Sequence, residues 1–179
     1  MMLPKVEIRK ILYTTDLSES ARHAFAYAAS LANLYGAGIT ILHVLTDDPV
    51  MSMGIISYIG EKRWEEIRKR NEEYAKQTLT GKRRDNIPLI NGLEQFCEDA
   101  KADIGEKTFI TDEILVIRGN PADIIVEESE KRNCDLIVMG THGHGIIADA
   151  VMGSTARQVM RRSKKPVLVV RLPDERSEK

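Results

Sequence analysis

Five short apolar runs constrain this chain more than anything else in it. They are Ile11-Leu12-Tyr13, at the centre of a segment from Ile8 to Thr15; Ile39 to Leu45; Ile114 to Ile117, in a segment that starts near Phe109; Leu136 to Met139; and Val167 to Val170, within Pro166 to Arg171. They read as short, buried strands, the fully covered kind that parallel sheets contain. Between them lie stretches with helical spacing. Strands alternating with helices imply parallel pairing, and the expected fold class is α/β, a layered fold with one sheet.

The helices carry their own punctuation. Ser18 is placed to cap a helix from Glu19 to Tyr35, with Ala24, Ala28, Leu31, Ala32 and Tyr35 on one face and Gly36 and Gly38 at its end. Thr46 to Tyr58 is a loop containing Met51 and Met53. A long charged helix is expected from Ile59 to Leu79, buried along Trp64, Ile67, Tyr74 and Thr78, with Glu65–Lys69 and Glu66–Arg70 in the favourable i,i+4 order. Residues 81 to 92, with Lys82-Arg83-Arg84 and Ile87-Pro88, break that helix. Helical character resumes from Leu93 to Ile104, where Leu93, Phe96, Cys97 and Ala100 share a side. Asn120 and Pro121 open another helix that ends before Asn133. A last helix spans Ser154 to Ser163, basic toward its C-terminus, as the helix dipole prefers.

In a parallel sheet of this kind, ligands bind beyond the carboxyl ends of the strands. Three groups share that edge here: Asp16, Val44 with Leu45, and Gly140. The last opens the pattern Gly140-Thr141-His142-Gly143, then nine residues, then Gly153-Ser154-Thr155. Glycine lets backbone come close to a ligand. A helix opening at Ser154 offers unpaired N–H groups and a partial positive charge. Together these suit a phosphate. Asp16 suits ribose hydroxyls, and Val44 offers main-chain hydrogen bonds and an apolar wall to a base. The same glycines also fit a tight strand-to-helix connection with no ligand at all.

Other chemistries find less support. Walker A is absent. Gly143-His144-Gly145-Ile146-Ile147-Ala148 matches GxGxxA, but it follows the fourth strand and Lys164-Lys165 stand where an acidic residue would be needed. His142 and His144 lack the neighbours of a zinc site, and no metal-ligating set is expected. Asp149, in the same loop, is a carboxylate that could approach a phosphate-bound magnesium. His23 and His43 read as structural. No residue stands out as a catalytic base, so no catalytic residue is assigned. A weak ATPase or phosphotransfer enzyme, and a nucleotide-free dimeric adaptor, remain the alternatives to a nucleotide-binding regulator. Adenylating enzymes of similar topology would need glycine-rich or His-x-Gly-His sequence where Thr14 to Ser18 stand.

A net charge of −1 gives no global field for nucleic acid or an anionic membrane. No apolar run approaches the ~18 residues of a membrane span, and Met1 to Lys5 has no signal-peptide core. Cys97 and Cys134 fit buried thiols in a reducing cytoplasm. With no linker or internal repeat, one domain is expected over residues 1–175, followed by a polar tail at 176–179.

At these residues the chain resembles the universal stress protein family, in its ATP-binding branch. The resemblance rests on the Gly140, Gly143, Gly153-Ser154 spacing. It is reinforced by Asp16, Leu42-His43-Val44, Gly119-Asn120-Pro121-Ala122, Asp135 to Gly140 and Lys165 to Val170. It implies a five-stranded parallel sheet of order 3-2-1-4-5 with helices on both faces, a three-layer sandwich like that of the adenine nucleotide alpha hydrolases. It implies a cytoplasmic stress-response protein that binds ATP, or AMP or ADP, with Mg2+ or Mn2+ held through the phosphates. By the same resemblance, Asp16 faces ribose and Val44 adenine, while Gly140, Gly143, Gly153, Ser154 and Thr155 hold ribose and phosphates. A homodimer through Val167 to Val170 would also cover an apolar edge that is a liability when unpaired. Residues 81–107 depart from the resemblance, being longer than the family usually needs there.

Overall fold

A computed structural model of the chain describes residues 5–46, 60–62, 66, 87–104, 110–141 and 152–172. Its elements are β1 (Lys10–Thr14), α1 (Glu19–Tyr35), β2 (Gly38–Leu45), α2 (Ile87–Ile104), β3 (Ile110–Arg118), α3 (Pro121–Lys131), β4 (Leu136–Gly140), α4 (Ser154–Arg162) and β5 (Val167–Val170). All strand pairs are parallel, and the sheet runs β3-β2-β1-β4-β5, the order the resemblance implied. The loop after Thr46, most of the helix expected from Ile59 to Leu79, and the basic triplet at 82–84 lie outside the described residues. Glu61, Lys62 and Glu66 of that helix are helical.

Each strand feeds two cores, because successive side chains leave opposite faces of a sheet. Ile11, Tyr13, Ile39, Ile41 and Val138 pack beneath α1 and α2. Leu12, Leu42, Val44, Ile137 and Met139 pack beneath α3 and α4 with Ala122, Ile125, Ala156 and Val159. On the first face Tyr13 meets Phe25 edge-on at 4.9 Å between ring centres, and Phe25 meets Phe96 in the same way at 4.9 Å. Such pairs contribute roughly 0.5–1.5 kcal/mol beyond their buried area.

The caps fall where the residue types place them. Ser18 Oγ accepts from Ala21 N–H at 3.2 Å, and Gly36 closes α1 in a left-handed conformation, φ 64°. Asn120 Oδ1 accepts from Asp123 N–H at 3.2 Å at the start of α3, with Pro121 in the first turn. The inner face of α1 differs from expectation. Phe25 and Ala29 join Ala24, Ala28 and Ala32 inside, while Tyr35 is half exposed.

Two further boundaries move. Helix α2 begins at Ile87, six residues before Leu93. Pro88 therefore sits in its first turn, where a helix needs no N–H, and does not break it. Strand β3 runs through Thr111-Asp112-Glu113 before its apolar part. The register with β2 slips between Ile39 and Thr40, leaving Asp112 as an extra residue. A bulge and charges on an outer strand discourage further pairing.

The C-terminal end of α3 is tied by charge. Glu128 is buried, and its carboxylate accepts from Arg132 Nε at 2.7 Å and from Lys131 Nζ at 3.0 Å. Arg132 also pairs with Glu113 on β3. Burial pushes the Glu128 carboxyl up, but the hydrogen bonds and charges of Arg132 and Lys131 outweigh it and hold it below the usual value.

Candidate functional site

The carboxyl ends of β1, β2, β4 and β5 converge on one edge. Thr14 pairs with Leu42, Tyr13 with Val138 and Gly140 with Val170. Continuing the registers, Asp16 comes level with Val44, two residues past the first pairing, and with Thr141, three residues past the second. Five sequence-predicted residues are thus gathered near Thr141: Asp16, Val44, Gly140 and, through a backbone bond, Gly153 with Ser154 behind it. Thr155 follows in the first turn of α4. Gly143, His142, His144 and Asp149 lie outside the described residues.

The turn after β1 is held by its own side chains. Thr15 Oγ1 accepts from Leu17 N–H at 2.9 Å, and Asp16 Oδ1 accepts from Ser18 N–H at 3.0 Å. Between them Leu17 adopts φ 62°, unusual for a branched residue, and this turns its side chain into the core at 1% exposure. The Asp16 carboxylate is therefore fixed at the sheet edge rather than swinging from a loose loop. Two hydroxyls steer this turn: Thr15, and Tyr13, which donates to Ala21 C=O at 2.7 Å. Tyr13 is buried, and burial pushes its phenol well above the usual range, so it remains protonated.

Val44 shows the edge its backbone. Its side chain is buried among Leu12, Ala122 and Ile125. Gly119 N–H bonds to Leu45 C=O at 2.9 Å, so Leu45 faces β3 and its neighbour Val44 faces the β1 side. The last described bond of the β1–β2 ladder is Thr15 N–H to Leu42 C=O at 3.0 Å. Val44 lies beyond it.

Gly140 has a reason that the sequence did not disclose. A Cβ there would lie 2.6 Å from Ser20 Oγ and 3.0 Å from Ala21 N. Its missing side chain lets the first turn of α1 rest on β4; the expectation that glycine serves close approach to a ligand has no counterpart in this contact.

Thr141 joins the parts. Its N–H donates to Val170 C=O at 3.0 Å, and its C=O accepts from Gly153 N–H at 2.9 Å. Ile137 and Met139 face α3 and α4, and the alternation brings Thr141 to that same side. Its hydroxyl is buried and has no hydrogen-bond partner among the described residues. Gly153, the N-cap of α4, has no side chain with which to bond the first-turn N–H groups. A buried hydroxyl with no partner among the described residues, beside a glycine-capped helix start, suits an anion's oxygens. Sequence reasoning missed Thr141 and Thr15 as site residues. Their hydroxyl type was visible, but only the fold shows what they meet.

Among the described residues, no group of three or more His, Cys, Asp or Glu is placed to hold a metal ion. Cys97 and Cys134 are buried and not joined in a disulfide, as the composition suggested. No helix among the described residues is long and apolar enough to cross a membrane.

Comparison with known proteins meets the same fold from several directions. A universal stress protein of Thermus aquaticus is 31% identical over 163 residues, 91% of this chain and 98% of the relative. A universal stress protein of Methanocaldococcus jannaschii is 29% identical over 167 residues, 93% of this chain and 96% of its own. The solved structure of that archaeal protein superposes with a TM-score of 0.63 at 28% identity, covering 94% of this chain and 99% of its own. A universal stress protein solved in complex with cAMP shares the fold, with a TM-score of 0.59 at 23% identity over 92% of this chain and 98% of its own. The model of the Universal stress protein family matches residues 7–171. This chain belongs to the universal stress protein family.

Proposed function

We propose that the protein binds an adenine nucleotide at the carboxyl edge of its sheet and serves as a nucleotide-dependent regulator in a stress response. The ligand is ATP, with Mg2+ or Mn2+ held through the phosphates; Asp16 meets the ribose, Val44 the adenine, and Gly153, Ser154 and Thr155 with Gly140 and Gly143 the ribose and phosphates. The observation that carries this reading is the buried hydroxyl of Thr141, beside the glycine-capped start of α4 and level with Asp16. Support also comes from the related fold that holds cAMP in another protein. The protein acts as a homodimer through β5, whose outer side is an unpaired edge among the described residues.

The test begins with purified protein, denatured to identify any nucleotide it releases, followed by calorimetry with Mg-ATP. Wild type is expected to bind. Thr141→Val replaces the hydroxyl with a methyl of similar shape, so the ligand-free fold keeps its stability or gains slightly, while affinity falls about tenfold. A flat titration and no released nucleotide from wild type would sink the reading.

A further inference from the structure

His43 is fully buried on β2, and its Nδ1 lies 2.8 Å from the carbonyl oxygen of Thr15. A carbonyl only accepts, so Nδ1 carries the proton and donates. This bond occupies a particular place in the ladder. Parallel pairing runs Thr14 with Leu42, then Thr15 N–H to Leu42 C=O. The next ladder bond in sequence would run from Val44 N–H to Thr15 C=O. No such bond exists among the described residues; the His43 ring takes the Thr15 carbonyl instead. The side chain of one residue thus replaces the backbone donor of the next. Beyond this point Thr15 and Asp16 close the turn with their own side chains.

We propose that His43 is a positioning residue: by holding the Thr15 carbonyl it ends the β1–β2 ladder one step early and leaves Val44 N–H turned toward the nucleoside, level with Asp16. A strand without this histidine would be expected to zip by one more bond, draw Thr15 and Asp16 toward β2 and cover the donor that a base edge needs. The proposal rests on the nucleotide reading for its ligand, but the backbone rearrangement it describes is measurable without one.

The experiment compares wild type with His43→Asn, whose amide N–H lies near the position of Nδ1, and His43→Leu, which has no donor. Amide hydrogen exchange is read on ligand-free protein and ATP affinity by calorimetry. Wild type is expected to show a Val44 amide exchanging at least tenfold faster than that of Leu42, and a long-range nitrogen spectrum with the proton on Nδ1. His43→Leu protects Val44 and lowers ATP affinity about tenfold, and His43→Asn restores both to within about threefold. A protected Val44 amide in wild type overturns the proposal. So does equal loss of affinity in the Asn and Leu variants, which would mark His43 as packing alone. If wild type binds no adenine nucleotide, the function proposed above fails, and the exchange data alone decide the role of His43. Should His43→Leu not fold, His43→Gln, with its donor displaced toward Nε2, takes its place with the same expected loss.

Discussion

Gly140 and Ser20 are in contact where a side chain would not fit: a Cβ on the glycine would come within 2.6 Å of Ser20 Oγ and 2.8 Å of the Ser20 carbonyl carbon. The second of these is backbone and cannot rotate away. Gly140→Ala is therefore expected to push α1 off the end of β4 and destabilise the fold by about 1–3 kcal/mol. Denaturant unfolding measures it, and an unchanged midpoint would show that α1 gives way freely. Loss of nucleotide in this variant would say little about a ligand unless the fold is measured beside it.

Ser154 separates ligand from fold more cleanly. It is exposed at the first position of α4. Ser154→Asp adds negative charge to a helix N-terminus, which stabilises the helix by roughly 0.3–1 kcal/mol. The same charge repels phosphate. Thermal stability is expected to hold or rise while Mg-ATP affinity drops at least tenfold. Undiminished affinity would place the phosphates elsewhere.

Glu128 makes the fold sensitive to acid. Its folded carboxyl sits below the ordinary value because Arg132 and Lys131 outweigh its burial. A lowered folded value stabilises above the unfolded value, and that contribution disappears as pH falls through the folded one. Glu128→Gln is expected to cost about 1–3 kcal/mol at neutral pH. The gap between variant and wild type should close as pH is taken below about 4. A gap that stays constant with pH would mean the ion pairs contribute nothing.

Strand β5 alternates its backbone. Pro166, just before β5, and Val170 offer their carbonyls to Ile137 of β4 and to Thr141 just past its end. Val167 and Val169 therefore face outward. Val169→Pro removes one outward N–H and leaves the β4 ladder intact. Sedimentation is expected to find wild type dimeric and this variant largely monomeric. A dimer that survives the proline would put the interface elsewhere.

Much of this architecture was legible because local chemistry and global fold agreed. Ser18 and Gly36 bracket α1 at the residues expected, and Asn120-Pro121 open α3. The edge that gathers Asp16, Val44 and Gly140 follows from strand order. Where pattern failed, another force had taken over. Pro88 reads as a breaker until its place in the first turn is known. The polar half of β3 is an outer strand and carries no buried signature. Leu17 adopts a backbone conformation no leucine advertises. The bond between His43 and Thr15 joins residues 28 apart in sequence, so no motif could announce it.

Thr141 has a consequence beyond geometry. One peptide plane gives its N–H side to the outer strand through Val170, and the same residue's carbonyl anchors Gly153. Where two binding equilibria are coupled through one residue, linkage makes the coupling reciprocal. If the protein binds nucleotide and associates through β5 as proposed, whatever nucleotide adds to association returns as nucleotide affinity. The apparent dissociation constant would then fall as the protein is concentrated, and the number of molecules in the cell, as well as its nucleotide level, would set how many sites are filled.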